Sequence, residues 1–265
     1  MSFHLTLETL EPCLLEDKTT IITTVTNRGY LLYTLNMLKS LAQFGLDKKI
    51  LIVCIDKKGA NILIKLGYNV YCIDDSNLGN FCPWNSKGYD KICYLKLKLI
   101  YSILLLDKNV LLVDGDIVFR KNPLEDISSW LKDKIYDVWI QNDAQENRNI
   151  INMCTGYMFI KSNDRLIKLY DCVSEIGQKK YTSCAFDNND QTYFNKYVKP
   201  YCMMNPLPLE KYPNGQMFYD NSEKISKTAV IVHFNWVKGH LKMAKIKEHK
   251  MWLLTPDEEE DILVY

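Results

Sequence analysis

Apolar residues fall along the chain in the rhythms of alternating strands and helices. Thr20-Ile-Ile-Thr-Thr-Val25 is β-branched throughout and predicts a buried strand, and Leu31, Leu32, Leu35, Leu38 and Leu41 then share one helix face. Lys49–Ile55 predicts a second strand, Ala60–Leu66 a short helix closed by Gly67, and Asn69–Ile73 a third strand. Asn, Gly, Pro and Ser dominate from Ser76 to Lys87, which marks a loop, and Tyr89–Leu106 follows as a long helix. Asn109–Val113 (NVLLV) is apolar without alternation, as a strand covered on both faces is. Asn122-Pro123 stops the chain. Beyond it Leu124–Leu131, Asp164–Ile176 and Asp190–Tyr197 predict helices, Asp137–Ile140, Tyr157–Ile160 and Val230–Val232 strands, and Pro200–Pro213 an extended stretch. This alternation predicts an α/β fold: a single Rossmann-like domain over residues 1–265, with a central, mostly parallel sheet flanked by helices. Residues 1–18 read as an N-terminal extension and 253–265 as a C-terminal tail.

Charge narrows the partners. Lys and Arg number 33 against 32 Asp and Glu, a net charge of +1, so there is no field with which to grip nucleic acid or an anionic membrane. Any anionic ligand must be held locally. Nine cysteines, an odd number, lie mostly in apolar runs with no CxxC pair or zinc spacing, and predict buried free thiols in a reducing compartment. The acidic N-terminus lacks the basic and apolar regions of a signal peptide, and Ile92–Leu106, broken by Lys96 and Lys98, falls short of a membrane span. A soluble, cytoplasmic protein is expected.

The candidate chemistry starts at Asp114-Gly115-Asp116, where NVLLV ends. Ligands of open α/β sheets bind beyond the carboxyl ends of the strands. Gly115 permits a tight path that turns both carboxylates toward one point, and hard oxygen ligands there suit Mn²⁺ or Mg²⁺. The same string, Leu-Leu-Val-Asp-Gly-Asp-Ile-Val, also fits the aspartate nucleophile of haloacid-dehalogenase-type phosphatases, in which Asp114 would attack phosphorus. Against that, the phosphatase motif belongs to the first strand of its domain, and here a strand and helix series precedes it. No later apolar strand ends in the paired acids such enzymes use for Mg²⁺.

Taken with its context, the sequence resembles the retaining nucleotide-diphospho-sugar transferases of GT-A fold. Thr24-Val-Thr-Asn27-Arg-Gly-Tyr30 resembles the strand-to-helix turn of the glycogenin-type family; the resemblance implies that Thr24 and Asn27 bond the uracil or ribose and that Tyr30 stacks on the base. Tyr94-Leu-Lys96-Leu is similar to the segment carrying a basic residue one helix before the acidic pair, so Lys96, with Lys98 as competitor, would reach the diphosphate. Cys154-Thr-Gly156 resembles the strand start at the donor sugar, with Cys154 in place of the more frequent Asn, and Asp143 is a candidate acceptor for a sugar hydroxyl. Asp187-Asn-Asn-Asp190-Gln191 resembles the acidic pair near the anomeric carbon, giving Asp190 and Gln191 a catalytic role.

His233-Phe-Asn-Trp-Val-Lys-Gly239-His-Leu-Lys242 is similar to the C-terminal His…Gly-x-x-Lys signature. There the imidazole of His233 would join Asp114 and Asp116 on the metal, Gly239 would bring backbone N–H groups to the phosphates, and Lys242 would neutralise the leaving diphosphate. The five residues between His233 and Gly239 favour the group of plant cell-wall α-xylosyl- and arabinosyltransferases over glycogenin. What the resemblance implies is metal-dependent transfer of a sugar from a nucleotide-sugar donor, with a UDP-sugar preferred, to a glycan, protein or small-molecule acceptor, with retention. A glycan- or nucleotide-binding protein that has lost turnover is the non-enzymatic alternative. Trp84, Tyr212, Phe218 and Trp236 are candidates either for stacking on a sugar ring or for ordinary packing.

Overall fold

The computed structural model describes residues 4–144, 152–184 and 189–264. In chain order the elements are α1 (Leu7–Leu10), β1 (Thr20–Thr26), α2 (Leu31–Ala42), β2 (Ile50–Cys54), α3 (Lys57–Lys65), β3 (Asn69–Cys72), α4 (Lys87–Leu104), β4 (Asn109–Val113), β5 (Ile117–Phe119), α5 (Leu124–Lys132), β6 (Val138–Asn142) and β7 (Met153–Ile160). They continue with α6 (Asp164–Tyr170), α7 (Glu175–Thr182), α8 (Asp190–Tyr193), β8 (Met204–Leu207), α9 (Gly215–Ile225), β9 (Ile231–His233), α10 (His240–Glu248) and α11 (Pro256–Val264). Among the described residues no helix is long and apolar enough to cross a membrane.

Seven strands form one sheet in the order β3-β2-β1-β4-β7-β6-β8. The β3-β2-β1-β4 half is parallel, β7 runs antiparallel to both β4 and β6, and β8 returns parallel to β6. The period-two rule divides each strand between two cores. Ile22, Ile50, Ile52, Leu111 and Val113 face α2, α3 and α5, whereas Ile21, Leu51, Val53, Val110 and Leu112 face α4 and α6. With both faces covered, β2 is buried at every position. Residues expected as an extension also belong to the core: Leu10 and Cys13 are fully buried on the α4 side.

Three departures from the sequence reading shape the site. The helix expected over Asp164–Ile176 is two helices, because Asp171 accepts from the Val173 and Ser174 N–H groups and Ser174 then caps α7 through Gly177 N–H. The helix expected over Asp190–Tyr197 is α8 followed by a π-helical turn at Phe194–Val198. That turn aims Asn195 at β7, where its amide both accepts from Met153 N–H (3.0 Å) and donates to Met153 C=O (2.8 Å). Most important, β5 begins one residue after Asp116 and pairs antiparallel with β9 in the register Ile117↔His233. This small second sheet carries His233 across more than a hundred residues of sequence to the acidic pair.

Candidate functional site

Asp114 and Asp116 leave the carboxyl end of β4 as expected, beside the ends of β1, β6 and the start of β7. Gly115 has an ordinary negative-φ backbone, so its role differs from the flexible path read from sequence. A Cβ there would meet Thr34 Oγ1 at 2.7 Å and Tyr30 Cδ1 at 3.3 Å. The glycine lets the acidic turn sit against the start of α2.

Asp114, Asp116 and His233 converge, their ligand atoms all lying within 4.8 Å of one another. His233 Nε2 is 3.9 Å from Asp114 Oδ2 and 3.4 Å from Asp116 Oδ1. The remaining carboxylate oxygens are taken by ammonium groups: Lys96 Nζ sits 2.8 Å from Asp114 Oδ1, and Lys242 Nζ is bonded to Asp116 Oδ2. Each acid therefore keeps one oxygen for a lysine and turns the other toward the imidazole. Two carboxylate oxygens and one ring nitrogen around a common point fit a Mn²⁺ or Mg²⁺ ion in donor type and spacing.

The orientation of His233 is fixed from behind. Gln141 is fully buried, and its Nε2 donates to Tyr212 O (3.2 Å) and Pro213 O (2.9 Å). Its Oε1 must then face His233 Nδ1, 2.7 Å away, so Nδ1 is the donor and Nε2 the nitrogen that looks at the carboxylates. Burial disfavours the imidazolium, but the Asp116 and Cys154 side chains outweigh it and raise the His233 pKa to about 10, so with no cation between the acids Nε2 also carries a proton, which has to leave before the ring can ligate a metal. Burial also opposes ionisation of Asp116, yet Lys242 and His233 hold its carboxyl well below the usual range. The floor of the cleft is thus a balanced cluster of charges.

Gly156 serves this packing directly. A Cβ on it would lie 2.2 Å from His233 Cε1 and 2.8 Å from Asp114 Oδ2. A register shift between β6 and β7, from Ile140↔Met158 to Gln141↔Cys154, bulges the strand at this point. Thr155 in the bulge donates to Asp190 Oδ2 at 2.7 Å, and Lys96 Nζ meets the same oxygen at 2.7 Å. Burial works against the charged form of Asp190, and Lys96 lowers its pKa nonetheless. Lys96 is also buried, and it bridges Asp114 to Asp190; Lys98 lies instead over the Tyr94 ring, 4.8 Å from its centroid.

The remaining expected residues divide. Tyr30 and Lys242 meet, Nζ to Oη 2.9 Å, and Tyr30 stacks near Phe81 with centroids 6.3 Å apart. Asn27 lines the cleft, while its amide nitrogen donates to Leu78 O (2.6 Å) and Asn80 O (2.8 Å) and so secures the 76–80 loop. Thr24 does not reach the cleft: it is fully buried within β1, its hydroxyl without a hydrogen-bond partner among the described residues, and Val25, Thr26 and Asn27 form the wall. Gly239 takes a positive φ of 54° at the start of α10, which places Lys242 in the first helical turn. Asp143 accepts from Gln191 Nε2 (3.1 Å), Asn235 Nδ2 (3.3 Å) and Trp236 Nε1 (2.9 Å), so it ties together three segments of the wall. Cys154 is buried with its sulfur 3.7 Å from His233 Nδ1 and from Asn235 Nδ2. Asp187 of the Asp187–Gln191 string lies outside the described residues.

Sequence reasoning missed Gln141, Thr155 and Asn235. Gln141 carried a usable signal, a polar residue in the otherwise apolar run Val-Trp-Ile-Gln. All these groups line or back one cleft of ≈ 1230 Å³, large enough for a nucleotide sugar. The described cysteines are all free thiols.

A profile of the nucleotide-diphospho-sugar transferase family matches residues 45–248. The chain is 22% identical to a UDP-galactose:fucoside α-3-galactosyltransferase of Dictyostelium discoideum, covering 88% of this chain and 43% of that protein. It is 23% identical to the β-arabinofuranosyltransferase RAY1 of Arabidopsis thaliana, covering 91% and 49%. The chain therefore spans less than half the length of these two relatives. A glycosyltransferase involved in glycosylation of the major capsid of PBCV-1 superposes with a TM-score of 0.56 at 12% identity, over 88% of this chain and 99% of that one. The galactosyltransferase LgtC, solved with donor and acceptor sugar analogues, does so with a TM-score of 0.57 at 16% identity, over 91% and 99%. The GT-A fold expected from sequence is the fold found, and the aspartyl-phosphatase reading of Asp114 falls away. By the profile match, which covers most of its length, the chain belongs to the nucleotide-diphospho-sugar transferase family.

Proposed function

We propose that the protein transfers a sugar from a UDP-sugar to an acceptor hydroxyl in a reaction that depends on Mn²⁺ or Mg²⁺. The observation that carries this reading is the convergence of Asp114, Asp116 and His233, with Lys96 and Lys242 on the outer carboxylate oxygens. Asp114, Asp116 and His233 would hold the ion, which when bound offsets the charge of the departing diphosphate.

The chain's own groups do the rest. Lys242, in the first turn of α10, stands where helix N–H groups and the ammonium together favour phosphate, and it leaves Asp116 for the diphosphate when the donor enters. Tyr30, beside Lys242, offers its ring to the base, with Val25 to Asn27 as the adjoining wall. Lys96 has a structural part in this reading: it neutralises the buried Asp190 together with the half-buried Asp114. Asp190 and Gln191 face the sugar, Asp143 orders Gln191, and Gly156 keeps the floor open. Retention follows if the acceptor hydroxyl attacks from the leaving-group face, where Asp190 and Gln191 steady the developing positive charge.

The test is Mn²⁺-dependent hydrolysis across a panel of nucleotide sugars, with Asp116→Ala as control. Turnover of one donor that needs the metal and disappears in the variant is the expected result. If every donor is inert while nucleotide still binds, the chain is a binding protein that kept the fold.

A further inference from the structure

We propose that Trp236, with Trp84 on the facing loop, forms the platform on which a carbohydrate acceptor stacks; this rests on the reading of the cleft floor as the donor site. The exposed aromatic side chains among the described residues are Phe81 (43%), Trp84 (50%), Tyr201 (64%) and Trp236 (48%), and all but Tyr201 line the cleft. Phe81 is engaged with Tyr30. Trp84 and Trp236 are the two indoles left at the mouth.

Trp236 has a φ of 64°, in the left-handed region that a bulky side chain adopts only where its surroundings over-determine it. Burial is not the reason, since nearly half of the residue stays in solvent. Its indole N–H is instead pinned to Asp143 Oδ1 at 2.9 Å, which fixes the ring's orientation. Trp84 is held from the other loop by Lys238, whose Nζ lies 4.6 Å from the ring centroid.

The chemistry around these rings selects a sugar. A pyranose presents an apolar C–H face, which packs on an indole, and a rim of hydroxyls, which needs charged or amide partners beside that indole. Asp143, Asn235 and Gln191 supply such partners next to Trp236. A lipid or an extended peptide would instead call for a continuous apolar or strand-edge groove. The acceptor is therefore a glycan or glycoside, seated on the rim with its hydroxyl directed to the floor.

Saturation-transfer NMR tests this on the full chain with UDP and Mn²⁺, irradiating the aromatic ring protons. The probes are the methyl glycosides of galactose, glucose, xylose, arabinose and fucose. At least one should receive saturation along one face of its ring. Trp236→Asn, whose side chain suits a left-handed backbone, should abolish the transfer, Trp236→Phe should retain it, and Trp84→Ala should weaken it severalfold. The loss of glycoside affinity in Trp236→Asn should exceed any change in UDP affinity at least tenfold. No transfer to any glycoside in the unmodified protein, or undiminished transfer in Trp236→Asn, overturns the proposal. If Trp236→Asn does not fold, undiminished transfer in Trp84→Ala does so. Failure of UDP to bind sinks the donor-site reading separately and leaves the glycoside result standing.

Discussion

Asp116 and Trp236 stand in one cleft, the first 4% exposed and the second 48%, and they are held by opposite means. Asp116 is clamped from two sides, by Lys242 and His233, in a floor where even a methyl group on Gly156 has no room. Trp236 is fixed by a single indole hydrogen bond and an unfavourable backbone angle. A floor whose dipoles and charges are set before ligand arrives needs no reorganisation during reaction. A rim fixed at one point can change its side chains without disturbing that floor. On the proposed reading, the comparison teaches where each kind of specificity sits: phosphate and metal chemistry below, acceptor choice above.

The harshest test of the floor is Asp116→Ala. It removes one of the three proposed metal ligands and leaves Lys242 without its carboxylate partner, so donor turnover should fall on the order of 10³-fold. Measurement at saturating Mn²⁺ separates this from simple loss of affinity. A fall of less than tenfold would mean that Asp116 is only a structural partner of Lys242.

Gly156→Ala comes next. The added carbon must displace the His233 imidazole or the Asp114 carboxylate, since the clashes are at 2.2 and 2.8 Å. Mn²⁺ affinity, read by titration calorimetry, should drop on the order of 10²-fold. Stability should fall by about 1–3 kcal/mol, the usual range for overpacking a filled site. Unchanged metal affinity would show that His233 is dispensable to the floor.

How much of this could be read from the chain follows the same division. Strands β2 and β4 announced themselves because both of their faces are buried, which makes them apolar at nearly every position, and β1, with four threonines, did so through β-branching at every position. His233 and Lys242 were legible through the resemblance of their segment to the family's His…Gly-x-x-Lys signature. The three residues of β5 gave no signal, because a strand so short has no measurable alternation; yet its pairing with β9 is what brings His233 home. Helix α10 was missed because Ile246 is its one fully buried apolar residue among those described, so no stripe forms. Thr24 was misplaced for a related reason: resemblance aligned the segment, but only the strand's depth in the sheet decides which of Thr24 and Thr26 reaches the cleft.

Gln141 sharpens the account of the floor. Gln141→Leu deletes the acceptor that fixes His233 Nδ1 and removes the amide that donates to the Tyr212 and Pro213 carbonyls, of which Pro213 keeps the His233 backbone N–H at 3.3 Å. Gln141→Glu restores an acceptor at Nδ1 but not those donors. Mn²⁺ affinity should fall roughly 10- to 100-fold in Gln141→Leu, the range typical of outer-shell partners. It should fall less in Gln141→Glu. Equal losses in both would assign Gln141 to loop packing rather than to the orientation of His233.

The smallest expected effect is at the rim, and it is on stability. Trp236→Asn loses the bond from the indole to Asp143, but Asp143 keeps Asn235 and Gln191 as donors and is not left unsatisfied. Asn tolerates a positive φ that costs a bulky residue about 1–2 kcal/mol. The two changes oppose each other at similar size, so the net should stay within about 1 kcal/mol, or roughly 2–4 °C in melting temperature for a chain of this length. Gly156→Ala, which adds only one carbon to the floor, should melt at a lower temperature than Trp236→Asn, which removes a whole indole from the rim. If the order is reversed, Trp236 is part of the packed structure and the division between floor and rim does not hold.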